Sequence, residues 1–464
     1  MSTVTIIGGG PTGLSTAMLF ADRGVDVTVV EKDPTPPPAD PDEAWESWDR
    51  PGVAQFHMGH TLIAGGRQLL DDHLPDVTDE LETAGAMRIA PMDGMPPTIT
   101  DRAPRPGDER FEVLAARRPI YEMAFARAAD RRSIDIRRGR SVTELVSGPS
   151  VADGIPHISG VRVDDGTLLQ SDLVIDAGGR RSPVPRLLEQ AGAAAPTEDA
   201  EDSRFVYYGR FFRARDGEDV PRPFNSSLEP AGSISSLILV GDNRTWSVTL
   251  YATTADKAMR AVKDTSVFER VVAALPGRTR WLEGEPISEV ITMGGVLDRV
   301  RHYSQDGAPI VTGLVPMGDS WGCTNPSVGR GITMALMHAT STVPTMAGLL
   351  DRPLDVFEAW HGSTRSTVAR WHESTLRMDR RRLAEMETLR TRTDDPAPGP
   401  DVFSKAVATD PEVYRVTREI AACFTLPEEA LARPGIQERI AVAASVELPP
   451  APVPSRAALE ALLA

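Results

Sequence analysis

Gly8, Gly10 and Gly13 stand in "IIGGGPTGLSTAMLFADRGVDVTVVEKD" (residues 6–33) at the spacing G-x-G-x-x-G, and Glu31 closes the apolar run that follows. Glycine loses more backbone freedom on folding than any other residue, so three in one turn imply a backbone that must lie bare. At this spacing Gly8 permits a sharp turn, Gly10 lets the chain approach a pyrophosphate, and Gly13 lets a helix pack closely on a strand. The N–H groups and partial positive charge of a helix start then face the phosphates. A carboxylate at position 31 accepts hydrogen bonds from a ribose hydroxyl pair and repels a 2′-phosphate, which favours FAD or NAD over NADP.

Two later stretches carry the same kind of chemistry. "DLVIDAGGRRSPVPR" (172–186) runs from an apolar segment into glycines, arginines and Ser182. "GLVPMGDSWGCTNPSVGRGITMALMHA" (313–339) runs into Gly318-Asp319, then Pro326, Gly329 and Gly331. An acid at the carboxyl end of a strand can hydrogen-bond a polyol. A glycine-rich turn that opens a helix offers N–H groups to a developing anion, such as the pyrimidine edge of a reduced flavin.

The elements that must position these residues follow from periodicity. Val4 to Ile7 and Val25 to Val30 read as strands buried on both faces, and Leu14, Ala17, Met18 and Ala21 recur at helical spacing between them. The first glycine turn therefore sits in a strand–helix–strand unit, the context that makes G-x-G-x-x-G specific. Further along, 33–44 reads as a proline- and acid-rich loop. Helices are expected over 64–74, 77–84 and 119–130, the last with Pro119 in its first turn. Residues 91–109 read as irregular. A hairpin turning at Asp165-Gly166 precedes a buried strand, Leu173 to Asp176. From about 203 to 295, alternating aromatic and β-branched runs predict an antiparallel sheet. Pro309 to Met317 reads as a strand and a helix starts near Gly331. Arginine-rich helices follow over 353–393, a linker over 394–400, and a helical end with a proline-rich break at 449–454. The expected fold class is α/β: a Rossmann-like FAD-binding domain (1–90, 110–190 and 300–350), an inserted β-rich substrate domain (91–109 and 191–299), and a helical C-terminal region (351–464).

Composition narrows the partners. The 464 residues are 41% hydrophobic and 25% charged, ordinary for a globular protein. A net charge of −16 and the absence of a basic, aromatic-interleaved stretch argue against nucleic acid. Cys323 and Cys423 stand far apart without ligand-like neighbours, which argues against zinc and disulfides and fits a reducing cytoplasm. Without a basic n-region, a cleavage site or an 18-residue apolar run, neither a signal peptide nor a membrane span is expected.

The three glycine-bearing segments, in this order, resemble those of the FAD-dependent aromatic hydroxylases and epoxidases of the para-hydroxybenzoate hydroxylase fold. "GDSWGCTNPSVGRGITMAL" is similar to that family's G-D-x-x-H-x-x-x-P-x-x-G-x-G-x-N segment. "QFHMGH" (55–60) is similar to a Q-x-R-x-x-H segment of actinobacterial natural-product oxidoreductases, including polyether epoxidases. The resemblance spans about 1–345 in outline. It implies that Gly8, Gly10, Gly13 and Glu31, with Pro11, Thr12 and Lys32 beside them, bind the ADP half of FAD. It implies that Arg118 reaches the phosphates and ribityl chain, that Asp319 binds the ribityl chain, and that Pro326, Gly329, Gly331 and Ile332 line the ring. His57 and His60 are the candidates near the reacting face.

Three departures stand out. Gly178 replaces an aspartate linked to pyridine-nucleotide use, Gly322 or Cys323 replaces a histidine, and His57 replaces an arginine. NADH or NADPH is then the expected electron donor either directly or through a separate flavin reductase. The implied reaction inserts one atom of O2 into a small aromatic or polyketide-type substrate, by hydroxylation or epoxidation. Alternatives that stay open are a reductase or desaturase of the geranylgeranyl reductase type, a flavin-dependent halogenase, and a flavin-binding regulatory protein. The halogenase would need a W-x-W-x-I-P segment, which "RTWSVTL" is not, and a substrate-facing lysine. The bland expectations are core packing for Trp246, "FVYYGRFF" and Cys323, and a solvated face for the arginines of 365–393.

Overall fold

The computed structural model describes residues 2–222, 228–392, 399–448 and 453–464. Most of the expected linker (394–398) and of the proline-rich break (449–452) lies outside the described residues.

A five-stranded parallel sheet organises the N-terminal half. The opening strand Thr3–Ile7 is its centre. Asp26–Glu31 and then Ile134–Arg138 lie on one side, Leu173–Asp176 and then Leu314–Pro316 on the other. Val4, Ile6 and Ile7 pair with Val27, Val29 and Val30, so branched apolar side chains fill both faces, as a sheet covered by helices requires. Helix Pro11–Ala21 starts with proline in its first turn and packs on helices Gly331–Met346 and Arg118–Asp130. Because the strands are parallel, the turns after Ile7, Asp176 and Pro316 leave the same sheet edge side by side. Three glycine-bearing segments more than a hundred residues apart are thereby brought together at the carboxyl ends of adjacent strands, where open α/β sheets bind ligands.

The second layer is antiparallel. Phe205–Arg213 pairs with Thr245–Thr253, which pairs with Ile234–Val240 and so to Leu228–Ala231. Glu285–Pro286 and Ile291–Gly294 complete the sheet along Phe205–Arg213. Its core holds Tyr208, Phe212, Trp246 and Trp281, with Phe212 stacked on Trp246. Phe205, Tyr207 and Tyr251 face the other way, against Met58 and Met386. Helix Thr265–Ala273 covers the first core, capped by Asp264, whose carboxylate accepts from two backbone N–H groups. Helices Pro353–Ser366 and Val368–Arg390 lead into the helical C-terminal region.

Several expectations need correction. Pro309 to Met317 is not one strand: Ala308–Pro309 belongs to a small hairpin, and only Leu314–Pro316 joins the parallel sheet. Gly313 intervenes at φ +71°, where a Cβ would lie 2.1 Å from the Ile158 carbonyl oxygen. The hairpin at Gly166 has a third strand, Val142–Ala152, hidden in the sequence by Gly148-Pro149, which fall at register shifts. The loop over 33–44 ends in a short helix, Pro41–Glu46, capped by Asp40. The strand Thr197–Asp202, entirely polar apart from Ala200, pairs with Leu297–His302 where no periodicity announced it. On the arginine-rich helix, Arg370 and Arg380 do form exposed ion pairs. Arg382 instead turns inward to the Ser235 hydroxyl and the Gly232 carbonyl.

Candidate functional site

The first glycine turn is set by backbone packing. Gly8 takes φ +106° and a Cβ there would lie 2.4 Å from the Ala177 carbonyl oxygen. A Cβ at Gly13 would lie 1.9 Å from the Gly8 carbonyl oxygen. Gly10, by contrast, has nothing within 4 Å of its Cβ position. Two glycines hold the turn and the third leaves a bare concavity at a helix start with no acid in its first turn.

Glu31 closes one end of this concavity. Its carboxylate accepts from Gly9 N–H at 2.6 Å and Asp33 N–H at 2.8 Å. It also pairs with Arg50 at 2.7 Å, a residue that sequence reasoning missed. Arg50 is buried among Glu31, Glu122 (2.9 Å) and Asp33 (3.3 Å). Burial works against its charge, but Glu122, Glu31 and Asp33 outweigh burial and hold the guanidinium above its ordinary pKa. Lys32 is exposed beside this cluster.

Arg118 opens helix Arg118–Asp130 as expected, buried and paired with Glu122. Glu122 therefore joins Arg50 to Arg118. His60 Nε2 lies 3.5 Å from Arg118 Nη1, and its Nδ1 lies 3.0 Å from the Met58 carbonyl oxygen. Burial, then Arg118, pushes the His60 pKa down to about 3. The ring is neutral near pH 7, with Nδ1–H donating to Met58 and the Nε2 lone pair facing the guanidinium. His57 is not part of this group; it packs edge-on against Trp45 and Phe56. Arg117 is fully buried and locked to Asp242 at 2.6 Å, tying the two layers together.

The second and third segments are stitched to one another. Buried Asp176 accepts from the Ser182 and Ser320 hydroxyls, and the Gly179 N–H donates to Ser320 Oγ. Gly318 (φ +55°) sits against Thr12, with a Cβ position only 2.6 Å from Thr12 Oγ1, so the third segment lies on the first turn of the opening helix. Asp319 accepts from Arg180 Nε at 3.1 Å. Gly178 thus leaves no acid at its position, but Arg180 has found one across the edge; Arg181 stays exposed.

Beyond Asp319, Cys323 is a packed residue whose thiol is pushed up to about 11, by burial first. Pro326 forms a tight turn, Gly329 takes φ +66°, and Gly331 starts a helix with no acid in its first turn. The Cβ positions of Gly329 and Gly331 face open space, while Ile332 is buried behind them. Distant side chains brace this loop. Ser327 donates to Asp379, Asn325 N–H donates to Asp298, the Tyr207 hydroxyl donates to Asn325, and Arg330 donates to Thr375 and stacks on Trp371. Burial pushes the Asp379 carboxyl up to about 7.

An apolar cavity of about 140 Å³ lies between the antiparallel sheet, the segment that follows His60, and helix Pro411–Ala421. Its walls include Ile63, Phe111, Val113, Val240 and Trp281.

The chain is similar to known flavoproteins. A family model for an FAD binding domain matches residues 1–39. The aromatic hydroxylase CabE from angucycline biosynthesis superposes with a TM-score of 0.57 at 18% identity, over 91% of this chain and 76% of that one. The flavin-dependent brominase Bmp2 superposes at 0.60 and 14% identity, over 91% and 94%. The chain has the fold of the FAD-dependent hydroxylases. Two curated proteins align over most of this hydroxylase-fold chain. Protein Rv3254 of Mycobacterium tuberculosis is 26% identical over 72% of this chain and 70% of its own length. The 6-methylpretetramide 4-monooxygenase of Streptomyces rimosus is 24% identical over 76% and 77%. The resemblance read from the three glycine-bearing segments is borne out. No helix among the described residues is long and apolar enough to cross a membrane.

Proposed function

We propose that this protein is an FAD-dependent monooxygenase that inserts one atom of O2 into a small ring-bearing natural-product substrate. The observation that carries the reading is the convergence of three bare-backbone turns on one sheet edge. FAD, when bound, supplies the electron transfer and oxygen activation. The residues present fit it. Gly10, Thr12 and Gly13 would offer the pyrophosphate their N–H groups, Gly8 and Pro11 would shape the turn that bares them, and Glu31 would take the adenosine ribose. Arg118 reaches the phosphates, Asp319 the ribityl chain, and Pro326, Gly329, Gly331 and Ile332 line the ring.

The chain's own work is binding, orientation and exclusion of water. The helix start at Gly331 directs N–H groups and partial positive charge toward negative charge on the cofactor. Neutral His60 cannot add a cation near pH 7, so Arg118 supplies the positive charge on that side. Glu122 holds both Arg118 and Arg50, which keeps the first turn and the His60 segment in register. A halogenating role has the same fold behind it, but none of the residues lining the cavity is a lysine.

The test is direct. The purified protein should release FAD, not FMN, on denaturation, measured by absorbance and mass. Oxygen uptake should then depend on an aromatic or polyketide-type substrate; flavin-free protein, or uptake indifferent to every such substrate, refutes the reading. Reduction by NADH or NADPH alone should be slow, because Gly178 removes an acceptor from the edge. Complete flavin bleaching within milliseconds in anaerobic stopped flow, with no substrate present, would overturn that expectation.

A further inference from the structure

The cavity holds one arginine without an acid. Arg278 on one wall pairs with Glu229 at 3.1 Å and donates to the Ser236 hydroxyl. Arg418, on helix Pro411–Ala421, differs. Its Nε is buried with no hydrogen-bond partner. Its guanidinium lies over the Tyr414 ring, 5.0 Å from the centroid. Among the described residues no carboxylate comes within ion-pair range of it. The nearby acids are engaged elsewhere: Glu419 holds Arg110 and Arg433, and Glu412 holds Arg105. The Tyr414 hydroxyl is also committed, donating to the Pro91 carbonyl at 3.2 Å.

A buried donor left without an acceptor costs free energy that a ligand can recover. Guanidinium is planar and forked and stays charged at any working pH, so its natural complement is a carboxylate. Around it the walls are mostly apolar and include the aromatic residues Phe111 and Trp281, in keeping with a ring-bearing ligand. Thr61 and Ile63 on the wall directly follow His60. Ala422 accepts from Gly65 N–H at 2.9 Å, and Ile420 from Arg330. The cavity is therefore fastened to the same segments that form the cofactor site.

We propose that Arg418 is a specificity residue that binds the carboxylate of a ring-bearing apolar acid seated in this cavity. This rests on the monooxygenase reading for its consequence, but the binding site itself is separable from it. The probes are 2-naphthoate and its uncharged isostere 2-naphthamide, titrated by calorimetry into the full-length protein, with FAD content measured on the same preparation. Naphthoate should bind at least about tenfold tighter than naphthamide. Arg418→Gln should weaken naphthoate by roughly 10- to 100-fold and leave naphthamide nearly unchanged. Equal affinity for the two probes, absence of binding by both, or an Arg418→Gln effect of equal size on both overturns the proposal. The wild-type comparison decides even where the variant fails to fold. FAD-loaded protein without acid preference removes this inference alone; acid preference in flavin-free protein removes the monooxygenase reading alone.

Discussion

The two glycine-bearing turns that start helices at Pro11 and Gly331 look alike in sequence but are built differently. The first is held by backbone against backbone: Gly8 against Ala177, Gly13 against Gly8. The second meets no backbone at Gly329 or Gly331 and is held by side chains reaching in from other elements, Asp379, Asp298, Thr375 and Tyr207. A turn fixed chiefly by its own backbone tolerates no side chain at Gly8 or Gly13, and the Glu31 carboxylate on Gly9 N–H is its one titratable brace among the described residues. A turn fixed by a buried carboxyl inherits that carboxyl's titration. The same helix-start chemistry can thus be rigid in one place and proton-linked in another.

The comparison breaks first at Gly13. A methyl group 1.9 Å from a carbonyl oxygen cannot be accommodated without moving the helix off the strand. Gly13→Ala should cost about 3 kcal/mol or more, seen in denaturant unfolding. Gly10→Ala, with open space at its Cβ, should leave flavin-free stability unchanged and lower FAD content instead. Equal stability losses in the two variants would abolish the division of labour between these glycines.

The second turn should show its proton linkage next. The Asp379 carboxyl rises from 3.8 to about 7 in the folded protein, chiefly through burial. It faces Ser327 and Asn325 from the loop, Asp298 from strand Leu297–His302, Arg330, and the hydroxyl-bearing Tyr207 and Tyr251 of the sheet. The folded state binds the proton more tightly, so this contribution is fully present below about pH 4 and is lost as pH rises through about 7. Asp379→Asn should flatten that part of the stability profile, worth on the order of 4 kcal/mol. Unfolding curves from pH 4 to 8 that run parallel in wild type and variant would show the carboxyl does not brace the loop.

The same contrast explains what was legible. The opening unit could be read because its constraints are local: spacing, β-branching and one acid lie within thirty residues. The same logic recurs at 172–186 and 313–339, so an FAD-binding domain built from separated pieces was legible, while the meeting of Gly13, Gly178 and Gly318 at one parallel edge shows only in the fold. The bracing was not. Arg50 is one arginine in an arginine-rich chain, and its partners lie at 31, 33 and 122. Asp379 sits on a helix whose composition reads as a solvated face, and only its register turns that acid inward. The one signal available was Glu122, an acid on a helix with otherwise apolar neighbours. His57 and His60 were indistinguishable in "QFHMGH" because a separation of three positions in a loop carries no directional information. The cavity, assembled from six segments, had no sequence signature.

Glu31 offers a smaller test of the first turn. Glu31→Arg should reduce FAD occupancy severalfold and also disturb Arg50, which loses one of its three acids. Arg50→Gln separates the two effects, since it leaves the carboxylate in place. If Glu31 serves only to neutralise Arg50, both variants lose FAD alike; if it takes the ribose, Glu31→Arg loses more.

The smallest expected effect is at Asp319, where two roles compete for one carboxylate. Asp319 pairs with Arg180, and both side chains are about one-third exposed, at 33% and 27%. An ion pair this accessible is screened by solvent and adds under about 1 kcal/mol to stability. Asp319→Ala should therefore leave unfolding nearly unchanged. A carboxylate that accepts from the ribityl hydroxyls would still lower FAD retention by roughly 3- to 10-fold when removed. Arg180→Gln breaks the same ion pair and leaves the acceptor in place, so it should retain FAD as well as the wild type or better. The double variant separates the roles. If Asp319 acts through the cofactor, the double variant loses FAD as Asp319→Ala does, whatever Arg180 contributes. If the pair merely positions the 177–183 turn, each single variant loses FAD equally and the double variant adds nothing, which would take Asp319 out of the cofactor site.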